Sequence, residues 1–296
     1  MSTIRSILFV PGDSERKLTK AEDFTADALV LDLEDSVSPQ NKPLAREKVR
    51  AFLDDHAERR KWQLWVRINP LALAESLDDL AAVVGGRPDG IMLPKSDGPE
   101  GSIQLGYYLD ALEARDGVPA GYVKILPVAT ETAKAPFSLG DYARIAPPRL
   151  IGLTWGAEDL SSAIGAATNK DESGEWDAPY RMVRSLCLLA AHAANVQAID
   201  TLYGDYRDEA GLRRSCAIAR RQGFTGRIAI HPDQVQAINE SFSPSPDEVA
   251  HARRVIAAFD AEPGVGTVGL DGQMLDIPHL RLAQRILATH ESHQNG

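Results

Sequence analysis

Eight short apolar runs recur between Ser6 and Pro232: SILFVPG, ALVLDLED, QLWVRIN, GIMLPK, VKILPVATE, RLIGLTWG, VQAIDTLYG and GRIAIHP. Each has the length and composition of a strand buried on both faces. The stretches between them, such as KPLAREKVRAFLDDHAERR and APYRMVRSLCLLAAHAAN, carry helical spacing. They are long enough to cross back over a sheet and deliver the next strand parallel. Eight such units in roughly 230 residues predict an α/β fold of the (β/α)8 TIM-barrel type. An open doubly wound sheet fits less well, because SILFVPGDSERK has no G-x-G-x-x-G after the first strand. Polar residues also collect at the C-terminal ends of many strands, where a barrel builds its active site.

The chain continues past the eighth strand. We read residues 1–240 as the barrel carrying the active site. Residues 241–296 are read as a C-terminal helical extension that packs on the barrel or on a neighbouring subunit, since no Gly- or Ser-rich linker sets them apart. Within them, SPSPDE reads as a turn into a helix start and PGVGTVGLDG as an exposed loop or hairpin.

Composition narrows the function classes. A net charge of −10 without a basic stripe argues against a nucleic-acid partner. No apolar run approaches membrane-spanning length. The two cysteines, Cys187 and Cys216, both lie in helix-like stretches and are expected to pack rather than react. Together with the lack of a signal-peptide pattern at the N-terminus, they point to the reducing cytoplasm.

The strand ends predict what the rim carries. Strand two ends in Asp32, Glu34 and Asp35, strand three in Arg67 and Asn69, strand four in Lys95, strand five in Glu131, strand six in Glu158 and Asp159, and strand eight in His231. Crowded carboxylates raise one another's pKa or recruit positive charge, and a hard divalent cation is the usual remedy. Mg2+ fits because it needs only one or two protein carboxylates, whereas no His or Cys pair has zinc-ligand spacing here. Glu131 and Asp159, on adjacent strands, are the strongest pair, although Asp159 taken alone is as well explained as a helix cap. Arg67 is equally consistent with an ion pair to Asp32 or Glu34 and with a grip on substrate oxygens. Lys95 is expected to pair with a rim carboxylate and His231 to brace its loop.

These stretches, with GAEDLSSAIGA, GFTGRIAIHPDQV, INESFSPS and LDGQMLDIP, resemble the citrate lyase β-subunit-like family of the metal-dependent aldolases and malyl-CoA-type lyases over nearly the whole chain. The resemblance implies Mg2+ held by Glu131 and Asp159, with Arg67 and Glu131 at the substrate. It places Asp32, Glu34 and Asp35 around them, Asp35 counted with the catalytic groups. It further implies that Asp276 of QMLDIP acts as the catalytic acid or base from a neighbouring subunit, hence a homo-oligomer, a trimer or a multiple of one. Arg16 and Lys20 correspond to positions that meet the phosphates of CoA. The implied activity is a carbon–carbon lyase cleaving a malyl-, citramalyl- or citryl-CoA type 3-hydroxyacyl-CoA by retro-aldol or Claisen chemistry. The alternatives are an aldolase for free 2-oxo acids, an acyl-CoA thioesterase and a non-catalytic subunit of a lyase complex.

Overall fold

In a computed structural model, which describes residues 3–58 and 61–294, the eight apolar runs form eight parallel strands. In chain order the elements are β1 (Ser6–Pro11), α1 (Glu15–Ala21), β2 (Ala28–Asp32), α2 (Lys42–Asp55), β3 (Gln63–Arg67), α3 (Glu75–Val83), β4 (Gly90–Leu93), α4 (Pro99–Asp116) and β5 (Lys124–Pro127). A 3-10 helix over Ala135–Ala143 makes the next crossover. Then come β6 (Gly152–Thr154), α5 (Glu158–Ile164), α6 (Ala178–Ala193), β7 (Gln197–Asp200), α7 (Glu209–Gln222), β8 (Gly226–Ala229) and α8 (Asp233–Phe242).

The strands pair in the order β5-β4-β3-β2-β1-β8-β7-β6. Single parallel bridges, Ile125 to Leu150 and Val128 to Thr154, join the two ends into a ring. Ile7, Val30, Trp65, Met92, Leu126, Ile199 and Ile228 form a buried core cluster. Trp65 fits only because position 90, its register partner on β4, is glycine: a Cβ there would lie 2.1 Å from Cζ3 of the indole. At the C-terminal ends of β2 and β3, Asp32 and Arg67 are register partners.

Contacts separate Ile4–Asn239 from a smaller unit made of Thr3 and the chain from Glu240 onward. In that unit, Ser245 and Glu248 form a reciprocal capping box with Pro246 at the first helical position, and this starts α9 (Pro246–Ala261). An antiparallel hairpin follows, β9 (Thr267–Leu270) and β10 (Gln273–Asp276). Its turn residues Asp271 and Gly272 both have positive φ, 52° and 79°, as a two-residue hairpin of this hand requires. The helix α10 (Ile277–Gln294) completes the unit. Ala252, Val255, Phe259, Val268, Leu275 and Ala283 form a buried apolar cluster within it. Among the described residues no helix is long and apolar enough to cross a membrane.

Candidate active site

Parallel registration puts Asp32 beside Arg67, and the two form a forked ion pair. Nε and Nη2 of the guanidinium donate to Oδ1 and Oδ2 of the carboxylate, each at 2.7 Å. Burial pushes the Asp32 carboxyl up, but the hydrogen bonds and charge of Arg67 outweigh it and hold Asp32 below the usual range. The backbone N–H groups of Glu34 and Ser36 also donate to Asp32, at 3.0 and 3.1 Å. Arg67 lies over the Phe9 ring, 4.7 Å from its centroid. Burial opposes its charge, yet Asp32, Glu34 and Glu131 together keep it protonated. A guanidinium has five N–H donors and Asp32 takes two. Glu34 Oε2 lies 3.0 Å from Nη1, yet that buried oxygen makes no aligned hydrogen bond. The ion-pair role of Arg67 is therefore occupied, and donors remain for a ligand.

Lys95 connects the rest of the rim. Its ammonium pairs with Glu34 Oε1, lies 3.1 Å from Asp35 Oδ2 and 3.4 Å from Asp159 Oδ1. Its own backbone N–H donates to Glu131 Oε2 at 2.7 Å. Residue 95 is thus the common neighbour of Glu131 and Asp159. Burial works against the Lys95 charge, but Glu34 and Asp159 raise its pKa. Glu34 moves up as well, burial outweighing Arg67 and Lys95. Asp159 lies in the first turn of α5, whose cap is Ala157 with no side-chain cap bond. The helix-cap reading of Asp159 therefore does not hold.

Glu131 is 6% exposed. Burial pushes its pKa up to about 8, the Lys95 N–H lowers it, and the charges of Asp159 and Glu34 push it further up. Gly156, just past β6, gives it room: a Cβ there would lie 2.8 Å from Glu131 Cγ and 3.0 Å from Oε1. Thr130 fixes that approach, its hydroxyl accepting from Gly156 N–H at 3.0 Å. Asp32, Glu34, Asp35, Glu131 and Asp159 thus face two cations, Arg67 and Lys95, so the cluster carries an excess of negative charge.

Two further polar networks brace the strand ends. Lys42 on α2 donates to the carbonyls of Leu33 and Glu34 at 3.0 and 3.2 Å and to Asn69 Oδ1 at 2.6 Å. Asn69 in turn bonds Leu33 O and the buried Asp79, which also takes Nε of Arg46 at 2.7 Å. At the end of β7, Asp200 accepts from Trp155 Nε1 at 2.7 Å, from Arg184 at 3.0 Å and from Arg227 at 2.5 Å. Burial pushes Asp200 up, but the two arginines and Trp155 hold it below the ordinary range. Apart from Asn69, the sequence reading named none of these residues. They belong to elements dozens of positions apart, and no local spacing signals them.

Arg16 and Lys20 are exposed, one helical turn apart on α1. Asp276 belongs to the smaller unit; its carboxylate pairs with His279, whose Nδ1 is 3.2 Å from the Asp276 backbone N. His231 stacks on Tyr206, ring centroids 4.5 Å apart, with Nδ1 3.3 Å from Asp233 N, consistent with bracing the loop. Cys187 and Cys216 are fully buried, and burial raises the Cys187 thiol, so both act as packing.

The family model for HpcH/HpaI aldolase/citrate lyase matches residues 5–232. A (3S)-malyl-CoA thioesterase of Cereibacter sphaeroides is 34% identical over 97% of this chain and 95% of its own. The mitochondrial citramalyl-CoA lyase of Rattus norvegicus is 32% identical over 96% of this chain and 85% of its own. Among solved structures, protein CitE from Mycobacterium tuberculosis in complex with magnesium, acetoacetate and coenzyme A superposes with a TM-score of 0.78 at 32% identity, covering 98% of both chains. A barrel whose rim gathers Asp32, Arg67, Lys95, Glu131 and Asp159, matched by that model over most of its length, belongs to the HpcH/HpaI aldolase/citrate lyase family of enzymes.

Proposed function

We propose that this chain is a magnesium-dependent carbon–carbon lyase that cleaves a 3-hydroxyacyl-CoA thioester of the malyl, citramalyl or citryl type. The observation that carries the reading is the convergence of Glu131 and Asp159 on Lys95, one through the backbone N–H and one through the ammonium, within an acidic cluster beside Arg67. The donor set suits magnesium. It consists of carboxylate oxygens, is over-supplied with negative charge, and has Gly156 where a side chain would fill the space beside Glu131 Oε1. Among the described residues no three His, Cys, Asp or Glu side chains form a metal cage. Two carboxylates suffice for an ion that keeps water and substrate oxygens in its other positions.

On this reading Glu131 and Asp159 hold the metal and Glu131 also borders the substrate. When bound, magnesium supplies Lewis-acid stabilisation of charge on the substrate's oxygens. The N–H groups that Arg67 does not commit to Asp32 bind the substrate carboxylate or the enolate oxygen that develops as the C–C bond breaks. Asp32 holds that guanidinium in orientation, and Glu34 and Asp35 keep the surrounding charge in place. Asp276 moves the proton, as base at the hydroxyl in cleavage and as acid at the carbanion carbon. We propose that it comes from a neighbouring subunit, in a trimer or a multiple of one, and that Arg16 and Lys20 meet the CoA phosphates. The barrel is taken as residues 1–240 and the extension as 241–296, working in the cytoplasm.

The test is turnover of malyl-, citramalyl- and citryl-CoA with Mg2+ or with excess chelator, products identified by mass. Cleavage of malyl-CoA to acetyl-CoA and glyoxylate supports the lyase reading, and full activity in chelator refutes it. Release of free CoA and malate instead marks a thioesterase, the second reading, supported by the thioesterase relative. Asp276→Ala and Arg67→Ala proteins, each inactive, should regain activity when mixed if the site is shared.

A further inference from the structure

Lys95 does more than balance charge. It is a non-glycine residue with φ of +49°, in the left-handed region that lysine rarely adopts. This backbone accompanies two contacts made at once by a single residue: the N–H to Glu131 Oε2 at 2.7 Å, and the ammonium 3.4 Å from Asp159 Oδ1 while it also bonds Glu34 and Asp35. Strained conformations persist where the surroundings over-determine them, and they cluster at functional sites. The ammonium occupies the region where the carboxylates would otherwise repel one another.

We infer that Lys95 is a tethered cation of the metal site: it holds Glu131 and Asp159 together in the metal-free protein and competes with the divalent ion for Asp159. The inference rests on the proposal that these two carboxylates are the metal ligands. An ammonium so close to a ligand oxygen repels an incoming dication. It also spares the metal-free protein a bare carboxylate cluster. Lys95 is therefore a positioning residue that sets how tightly the metal binds and how readily it leaves, while Arg67, committed to Asp32, stays with the substrate.

Backbone and side-chain contributions separate in a pair of variants. Lys95→Gly removes the ammonium while keeping the N–H and easing the left-handed backbone; Lys95→Arg keeps the charge. Magnesium binding is measured by calorimetry without substrate, and thermal melts are run with and without Mg2+. The expected result is at least tenfold tighter binding in Lys95→Gly than in the wild type, and binding within about threefold of the wild type in Lys95→Arg. Lys95→Gly should also show the largest rise in Tm on adding Mg2+. Unchanged or weaker affinity in a folded Lys95→Gly protein would overturn the inference while leaving the metal reading intact. Magnesium that binds none of the three proteins removes the metal-site reading, and this inference with it.

Discussion

Replacing Gly156 with alanine tests the site at its tightest point. The added Cβ would lie 2.8 Å from Glu131 Cγ, 3.0 Å from Oε1 and 3.3 Å from Cδ. Comfortable carbon contacts begin near 3.5 Å, so the Glu131 side chain must retreat by about 0.7 Å or more. It cannot do so cheaply, being buried and bonded to Lys95 N–H at 2.7 Å. Overpacking of this kind costs about 1–3 kcal/mol. At about 2–4 °C per kcal/mol for a barrel of this size, Tm falls by roughly 2–12 °C. Misplacing a positioned group by about 1 Å lowers turnover on the order of 100-fold. The assays are a circular-dichroism melt, and kcat/KM on malyl-CoA across a magnesium titration. Gly140→Ala is the control, since nothing lies within 4 Å of its Cβ. A folded Gly156→Ala protein with wild-type turnover and unaltered magnesium dependence would refute the placement of Glu131 at the reacting centre.

Arg67→Lys loses the fork that spans both oxygens of Asp32, and turnover should fall by about 100- to 1,000-fold with the fold retained; a loss under tenfold in steady-state kinetics counts against the oxyanion role. Asp200→Asn strands Arg184 and Arg227 against one neutral amide. It should cost about 3–5 kcal/mol, or roughly 6–20 °C in a calorimetric melt, and a shift under about 3 °C would contradict the burial argument. Because the folded pKa of Asp200 is depressed, its stabilisation is present above its unfolded value near pH 3.9 and is lost as pH falls through the lower folded value. Acid-unfolding curves should therefore be shallower for Asp200→Asn than for the wild type.

The barrel was legible because most strands are short apolar runs, and because polar residues at or just past their C-terminal ends mark the rim. The pattern left Arg67 open between an ion pair to Asp32 or Glu34 and a grip on substrate, and only strand register set it beside Asp32. The helix start at Ser245 was legible for the same local reason, the capping box being contiguous in sequence. Lys95 was expected to pair with a rim carboxylate, but not to reach three and bond a fourth through its backbone; that depends on a left-handed residue no propensity favours. Gly156 read as one small residue in GAEDL until Glu131, 25 positions earlier, came to rest against it. Asp200 lay at a strand end like the others, yet its partners come from just past β6, from α6 and from β8 rather than from the acidic cluster. Its meaning depended on which way the side chain turned, which apolar runs do not encode.

The ring closes unevenly. Seven neighbouring strand pairs share continuous ladders, while β5 and β6 meet through single bridges and a few backbone bonds, such as Ala129 N to Thr154 O at 2.8 Å. Glu131 follows one side of this seam and Asp159 the other. A cation gripped by both would act as a clasp across the least stitched part of the wall, so that occupancy of the site and the circumferential stiffness of the barrel become one variable.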